Sequence, residues 1–236
     1  MLDNRKFKVA CVQMTSGADV EENLRFAEGF IRDAHAQGAI FIATPEMTDS
    51  IRRYAKDKKA QASDAPQQRF AALAKELNIW LLLGSAGVLL DDDNSRMANR
   101  SMLFAPDGGR VAYYDKIHMF DAKLSRTEFY SESSNYQPGE RAVLAECDGF
   151  KVGMGICYDL RFSHLWRDLA KAGADILTAP AAFAVSTGQA HWDVLVRARA
   201  IETGCFVLAP AQVGEHEGGR QTFGHAMIVN PWVQVI

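Results

Sequence analysis

The stretch KVGMGICYDLRFSHLWRDL, residues 151–169, decides how the rest of the chain is interpreted. Its apolar, glycine-containing start at residues 151–156 predicts a strand that stops at Cys157, and a sharp turn then leads into an amphipathic helix. A strand that ends in such a turn can hold a nucleophile clear of the backbone, as the nucleophile elbow of serine hydrolases does. Cys157 is therefore our candidate nucleophile, and the nearby helix N-terminus favours its thiolate form. The alternative is a buried cysteine that acts as a small hydrophobe.

Length and composition predict one large α/β domain over residues 1–236, with the 48% hydrophobic and 23% charged residues of an ordinary globular protein. A net charge of −3 gives no electrostatic argument for binding nucleic acid or anionic membranes. The charged N-terminus lacks a signal-peptide pattern, and no apolar run is long enough to span a membrane, so we expect a cytoplasmic protein. The four cysteines form no CxxC pair and the six histidines no HExxH motif, which predicts reduced thiols and no metal site.

The order of apolar and polar segments predicts mixed sheets covered by helices. Residues 6–14, 19–36 and 39–43 predict a strand, a helix and a strand, which is the beginning of a βαβ unit. The polar segment 51–64 and the aperiodic segment 122–138 predict loops, and turn residues predict hairpins at residues 100–114 and 142–156. Further apolar segments predict a helix from Pro66, strands at 79–90, 175–179, 205–211 and 223–230, and a helix at 191–203.

Glu46, Lys116 and Cys157 each follow the end of a predicted strand, where open α/β sheets build their sites. A carboxylate beside a cysteine can remove the thiol proton as a general base. A lysine ammonium and the backbone N–H of Tyr158 can stabilise the oxyanion of a tetrahedral intermediate. Taken singly, Glu46 is as well explained as a helix cap and Lys116 as a solvated charge, so the hypothesis depends on their combination.

Three blocks of sequence resemble the signature motifs of the nitrilase superfamily of carbon–nitrogen hydrolases. They are TPEM around Glu46, YDKIHMFD around Lys116 and GICYDLRF around Cys157. The resemblance extends over nearly the whole chain, through FAVSTGQAHW at residues 183–192, RARAIE at 197–202 and GHAMIVNPW at 224–232. It is closest to the branch that contains omega-amidase and deaminated glutathione amidase.

This resemblance implies an αββα sandwich, a Glu46–Lys116–Cys157 triad, no metal or other cofactor, and homodimers or larger homo-oligomers. It further implies that Glu132, in SESSNYQPG, is the second glutamate that relatives place beside the catalytic lysine. The implied substrate is a small carboxylate-bearing amide, such as deaminated glutathione or another ω-amide of an α-keto acid, which is cleaved to an acid and ammonia or an amine through a thioester.

The same resemblance suggests residues that contact the substrate. Arg161 follows the cysteine turn and is a candidate for binding a carboxylate, although a structural ion pair explains it equally well. The other candidates belong to the FAVSTGQAHW block and are Phe183, Thr187, His191 and Trp192.

Two features depart from the family pattern. Ser163 stands where relatives commonly have proline, and as a possible N-cap it predicts no loss of activity. Relatives commonly read PWG where this chain has Pro231, Trp232 and Val233, and they continue into a C-terminal tail that this sequence lacks. The missing tail leaves a truncated non-catalytic remnant of the fold as one alternative to the amidase. The same triad also fits an N-carbamoyl-amino-acid hydrolase or a nitrilase, and a redox-sensing thiol at Cys157 is a further alternative.

Overall fold

The computed structural model describes residues 8–51, 62–90, 96–126 and 128–236. Two five-stranded sheets face each other, and helices cover the outer side of each, so the predicted four-layer αββα sandwich is confirmed. The strands of the first sheet have the order β1-β3-β4-β5-β6, and those of the second have the order β15-β12-β11-β10-β9. None of the helices in the described ranges is long and apolar enough to cross a lipid bilayer.

Fifteen strands and four α-helices make up the described chain. The strands are β1 Val9–Cys11, β2 Gln13–Met14, β3 Phe41–Ala43, β4 Trp80–Leu89, β5 Met97–Phe104, β6 Arg110–Asp115, β7 Asp121–Lys123, β8 Phe129–Ser131, β9 Val143–Cys147, β10 Phe150–Met154, β11 Ile176–Thr178, β12 Phe206–Ala209, β13 Ala211–Glu215, β14 Gln221–Phe223 and β15 Met227–Val229. The helices are α1 Val20–Ala36, α2 Ala65–Leu77, α3 Ser163–Lys171 and α4 Val185–Thr203.

The central strands are apolar on both faces because both faces are covered. In β4, Leu82 packs into the core between the two sheets, whereas Leu81 and Leu83 pack beneath α1 and α2. Neighbouring β3 alternates in the same way, with Phe41 facing the second sheet and Ile42 facing the helices. Continuous apolar runs are typical of parallel strands buried in this manner.

Helix α1 shows how local sequence fixes an element. The side chain of Asp19 accepts a hydrogen bond of 2.8 Å from the backbone N–H of Glu22, which satisfies one free donor of the first turn. Leu24, Ala27 and Ile31 form the buried stripe at helical spacing. These residues agree with the helix predicted over 19–36.

Three predicted elements differ from the structure. The segment 122–138, expected as a loop, contributes to the β7–β8 hairpin and then forms a 3-10 turn at Glu132–Ser134, because its short, half-exposed strands bury too little to leave a periodic pattern. The strand expected at 205–211 is divided at Pro210 into β12 and β13, which belong to different sheets. The helix expected from residue 191 begins at Val185, and most of the predicted loop 51–64 lies outside the described residues.

Candidate active site

Glu46, Lys116 and Cys157 follow β3, β6 and β10, and the sandwich brings their side chains together. The Nζ atom of Lys116 donates a hydrogen bond of 2.9 Å to Oε1 of Glu46, and the Glu46 carboxylate lies close enough to Cys157 to raise the pKa of its thiol. All three residues are buried. The structure therefore brings these three strand ends together, as the sequence predicted.

The turn that carries Glu46 depends on a glycine in the adjacent strand. A Cβ atom on Gly84 would lie 1.9 Å from the carbonyl oxygen of Thr44 and 2.3 Å from that of Pro45, so only glycine allows this approach. On the other side, Nε2 of Gln212 donates to the backbone carbonyl of Glu46 at 3.1 Å. The backbone of Glu46 is thus held from two sheets, which fixes the position of its carboxylate.

Lys116 is shared by two carboxylates. Besides Glu46, its Nζ atom contacts both oxygens of Glu132, at 2.9 Å and 2.7 Å. Asn99 joins the same group, because its Nδ2 atom donates to Glu46 and to Glu132, each at 3.0 Å. Glu132 therefore lies where the resemblance implied. Sequence reasoning missed Asn99, which stands beside Arg100 and Ser101 in a polar stretch of β5 and carries no distinguishing signal.

The charges of Glu46 and Lys116 result from two opposing effects: burial disfavours the charged form of each side chain, and the attraction between their opposite charges favours it. Burial raises the pKa of Glu46, but the charge and hydrogen bond of Lys116 outweigh it and leave this pKa below its ordinary value. Burial lowers the pKa of Lys116, but the charges of Glu132 and Glu46 outweigh it and leave this pKa well above its ordinary value. At neutral pH the site therefore holds an ionised Glu46 and a protonated Lys116.

Cys157 lies on a strained turn at the start of the 3-10 helix Cys157–Arg161. Its φ of 50° is in the left-handed region, which is costly for a residue with a side chain and is typical of functional sites. The N–H of Tyr158 belongs to the first turn, where a helix offers no internal acceptor, so it is available to an oxyanion as predicted. The turn expected from the sequence is therefore an elbow.

Asp159 fixes this elbow from inside the protein. One oxygen of its carboxylate accepts from the N–H of Ile156 and from the hydroxyl of Tyr114, both at 2.8 Å. The other oxygen accepts from the N–H of His118 at 3.1 Å and contacts the Nδ1 atom of that residue at 2.6 Å. The sequence analysis did not single out this residue, although Asp159 and His118 both belong to the quoted motifs.

The sequence analysis expected the helix N-terminus to favour the thiolate of Cys157, whereas burial and a nearby carboxylate act in the opposite direction. Burial raises the pKa of its thiol, the charge of Glu46 raises it further, and Lys116 only partly opposes them, so this pKa is well above its ordinary value. The resting pair is therefore a neutral thiol beside a carboxylate that can accept its proton.

These groups lie in a cavity of about 850 Å³. Glu46, Lys116, Glu132 and Cys157 line it together with parts of β8, the first turns of α4 and the segment 217–221. Arg220, which the sequence analysis missed, contributes a second cation to this lining. In the described parts of the chain, no three His, Cys, Asp or Glu side chains are grouped as a metal site would require.

The residues predicted to contact the substrate lie around the cysteine elbow, where the Arg161 guanidinium packs over the rings of Tyr158 and Phe183. Arg161 donates to Nδ1 of His191 at 3.2 Å, and neither residue lines the cavity. Phe183 and Trp192 are buried against each other, with ring centroids 4.9 Å apart, and the hydroxyl of Thr187 donates to a backbone carbonyl within its own helix turn. The structure therefore brings these five residues near the elbow and α4 but not into the cavity lining.

Comparison with known proteins agrees with the geometry. The carbon-nitrogen hydrolase family model matches residues 8–236. The chain is 39% identical to a deaminated glutathione amidase of Yersinia enterocolitica, over 97% of this chain and 81% of that protein. The crystal structure of the Caenorhabditis elegans NitFhit protein superposes with a TM-score of 0.90 at 34% identity, covering 97% of this chain and 56% of that one.

A second solved structure supports the same assignment. Saccharomyces cerevisiae Nit3, a member of branch 10 of the nitrilase superfamily, has a TM-score of 0.86 and 27% identity, over 98% of this chain and 84% of that protein. Because the family model spans almost the entire sequence, and because the relatives match in both sequence and fold, the chain belongs to the carbon-nitrogen hydrolase family.

Proposed function

We propose that this carbon–nitrogen hydrolase is an amidase that uses Cys157 as its nucleophile on a small carboxylate-bearing amide, such as deaminated glutathione or another ω-amide of an α-keto acid. The observation that carries the proposal is that the buried Glu46 carboxylate, bound by the Lys116 ammonium at 2.9 Å, lines one cavity of about 850 Å³ together with Cys157. The substrate class is supported by the relatives, which are named deaminated glutathione amidases.

Acylation begins with transfer of the thiol proton to Glu46 as the sulfur attacks the amide carbonyl carbon. Because the pKa of Cys157 is raised, the thiol is neutral before substrate binds and needs this general base. The Lys116 ammonium and the Tyr158 N–H stabilise the oxyanion. Protonated Glu46 then gives its proton to the departing nitrogen, and the C–N bond breaks. Ammonia or an amine is released, and the acyl group remains on Cys157 as a thioester.

Deacylation uses the same groups in reverse. Glu46 takes a proton from water as the water oxygen attacks the thioester carbonyl, and the carbon–sulfur bond breaks to release the acid. The proton held by Glu46 returns to the sulfur. Glu132 acts through Lys116, because its two contacts keep the ammonium charged and aimed at the reacting carbonyl.

Product analysis tests the proposal. The wild-type chain is incubated with deaminated glutathione, α-ketoglutaramate, α-ketosuccinamate, an N-carbamoyl amino acid and a nitrile, and the acid and the released amine or ammonia are quantified. We expect turnover of a keto-acid amide that is abolished in Cys157→Ala and kept in Cys205→Ala, whose sulfur lies outside the cavity. Carbon dioxide release indicates a carbamoyl hydrolase, turnover of nitriles alone indicates a nitrilase, and inactivity of a folded sample supports the non-catalytic remnant.

The proposal includes a cytoplasmic location and a homodimer or larger homo-oligomer. All four cysteines are free thiols, as a reducing compartment requires. Val194 and Ile201, seven residues apart on α4, are 66% and 62% exposed and place an apolar face at the surface. Sedimentation of the wild-type chain and of Ile201→Glu tests the assembly: we expect an oligomer that the substitution weakens, and a monomeric wild type contradicts this part.

A further inference from the structure

The small sheet formed by β14, β13 and β2 connects distant parts of the chain to Glu46. β13 pairs antiparallel with β14 and parallel with β2, which places Gln212 opposite Met14. Four polar side chains of this sheet and its adjoining turns are buried although none takes part in the proposed chemistry: Ser16, Gln212, His216 and Thr222. Buried polar groups are nearly always hydrogen-bonded, so the partners of these four indicate what they do.

The side-chain amide of Gln212 is at the centre of these contacts. Its Nε2 atom donates to the backbone carbonyls of Glu46 and Met47, at 3.1 Å and 3.2 Å, and to Oγ of Ser16 at 2.7 Å. Its Oε1 atom accepts from the backbone N–H of Ser16 at 2.9 Å. The orientation of this amide is fixed, because a flipped amide would set its NH₂ group against the Ser16 donor. The turn that carries Glu46 is thus joined through Gln212 to Ser16.

His216 directly follows β13 and holds Ser16 by a separate contact. Its Nδ1 atom lies 2.8 Å from the carbonyl oxygen of Ser16, and its Nε2 atom lies 2.6 Å from the hydroxyl of Thr222. A carbonyl oxygen can only accept, so Nδ1 carries the proton and donates, whereas Nε2 accepts from the Thr222 hydroxyl. The ring therefore joins the end of β2 to β14.

The neutral ring of His216 stands on a closed turn. Burial lowers its pKa, the contact with the Ser16 carbonyl opposes this effect, and the charge of Arg220 adds to it, which leaves the pKa of His216 below its ordinary value. The backbone N–H of His216 donates to the carbonyl of Arg220 at 2.8 Å, and the N–H of Gly219 donates to the carbonyl of His216 at 3.0 Å. Both the charge state and the backbone of His216 favour its contact with Ser16.

The carboxylate of Glu46 depends on an exact backbone position. Its two oxygens meet the Lys116 ammonium and the backbone N–H of Ala182 at the same time, each at 2.9 Å. Without the His216 contact, the peptide of Ser16 is free to rotate and the Gln212 amide loses a fixed partner. A misplacement of about 1 Å in a reacting group can cost about 10²-fold in rate.

We infer that His216 is a positioning residue for Glu46, the proposed general base. It acts through Ser16 and Gln212, which fix the backbone of the general base and so the place of its carboxylate. This inference rests on the proposed amidase function. The role concerns kcat rather than KM, because the ring of His216 does not line the cavity.

Two polar substitutions test this role. His216→Asn keeps a donor at the place of Nδ1, whereas His216→Gln places its amide near Thr222 and leaves the Ser16 carbonyl without that donor. On α-ketoglutaramate we expect His216→Gln to lower kcat per folded molecule by about 10- to 100-fold with KM within about twofold of the wild type, and His216→Asn to keep kcat within about threefold. The same two substitutions at His35, on α1 and outside the cavity lining, should leave both constants unchanged.

Two results of these assays overturn the inference. Wild-type kcat in folded His216→Gln, whatever its free energy of unfolding, means that the ring only supports the small sheet. Equal losses in His216→Gln and His216→Asn mean that the Nδ1 donor does not carry the effect.

A double substitution tests the route to Glu46. Gln212→Met removes the connecting amide at nearly constant volume, so adding His216→Gln should lower kcat by less than about twofold further. Losses that multiply instead mean that His216 acts independently of Gln212, which overturns the inference.

Alkylation of Cys157 by iodoacetamide separates this inference from the amidase proposal, since it needs no turnover. The charge of Glu46 raises the pKa of the Cys157 thiol, and a loosened carboxylate lies on average farther from the sulfur. In His216→Gln the midpoint of the pH-dependent alkylation should therefore move to lower pH by about half a unit or more, while His216→Asn keeps the wild-type midpoint. That result upholds the positioning role even if no amide is turned over. A wild-type midpoint in His216→Gln refutes it whatever the catalytic outcome.

Discussion

Replacing Glu46 by glutamine removes one negative charge from the buried site without changing the size of the side chain. In the wild type, Oε1 accepts from Lys116 and Asn99 and Oε2 accepts from the N–H of Ala182. A glutamine that keeps the first two contacts turns its NH₂ group toward the Ala182 donor. We expect this mismatch to lower the free energy of unfolding by about 1 to 3 kcal/mol, which leaves the chain folded.

The same substitution removes the proposed general base. General-base catalysis typically contributes about 10²- to 10⁴-fold, so kcat/KM for the amide should fall by that factor, or about 3 to 5 kcal/mol of transition-state stabilisation. The loss should appear in kcat, because Glu46→Gln leaves Arg220 and the rest of the cavity unchanged.

The reactivity of Cys157 should change in the opposite direction. In the wild type the charge of Glu46 raises the pKa of the thiol while Lys116 lowers it. With the carboxylate gone and Lys116 in place, the pKa of Cys157 falls, and the midpoint of its pH-dependent alkylation by iodoacetamide moves to lower pH. Glutamine at position 46 should therefore give a thiol that ionises more readily in an enzyme that hydrolyses amides far more slowly.

The assay follows alkylation of the Cys157 peptide by mass spectrometry from pH 5 to pH 10, alongside amide turnover. Glu76→Gln is the matched control, since it removes a carboxylate that pairs with Arg32 at the surface. The control should reproduce the wild type in both measurements. Amide turnover within tenfold of the wild type in Glu46→Gln, or an alkylation midpoint that stays or rises, refutes this reasoning.

Three further substitutions test how the site is positioned. In Gly84→Ala the new Cβ meets backbone atoms, so we expect at least a tenfold loss of activity. The control Gly29→Ala, whose Cβ has nothing within 4 Å, should keep activity and raise the free energy of unfolding in urea by about 0.5 to 1 kcal/mol. Asp159→Asn should lower the free energy of unfolding by about 1 to 3 kcal/mol for each donor left unpaired, and should also lower kcat; an unchanged urea midpoint contradicts the anchoring role. The pKa of Glu46 is lower in the folded protein than its ordinary value. Its ionisation therefore stabilises the fold above the ordinary carboxyl pKa, and this stabilisation is lost as the pH falls through the lowered pKa. Asn99→Asp adds a third carboxylate to the group formed by Glu46 and Glu132 and should raise the pKa of Glu46. The acid limb of the kcat/KM profile should then move to higher pH, and a shift to lower pH would count against the assigned charges.

Much of the site could be predicted because its residues follow apolar runs. Glu46 and Cys157 stand just beyond β3 and β10, whose buried apolar residues leave a clear pattern, and the parallel order of β1, β3 and β4 and of β10, β11 and β12 brings such ends to one side. Lys116 follows the largely exposed strand β6, so its motif rather than an apolar run located it. Alternation in β4 and the capped amphipathic helix α1 likewise follow from local spacing.

Other features depend on contacts between distant parts of the chain. The pKa of Cys157 is raised by burial and then by the charge of Glu46, and both depend on parts of the chain that are far apart in sequence. Arg220 lines the cavity although its position in the sequence gives no sign of this, because the turn that carries it is brought there by the pairing of β13 with β14. Asn99 is one of three consecutive polar residues in β5, and only the structure shows that it donates to both Glu46 and Glu132.

Trapping of the acyl-enzyme tests the central claim, a thioester on Cys157, most directly. The wild-type chain is mixed rapidly with glutaramate or α-ketoglutaramate, quenched in acid, and examined by intact-protein and peptide mass spectrometry. The account predicts a mass gain equal to the substrate minus ammonia, located on Cys157, lost in Cys157→Ala and unaffected in Cys205→Ala. Steady turnover without such an adduct, and with Cys157→Ala as active as the wild type, would contradict it.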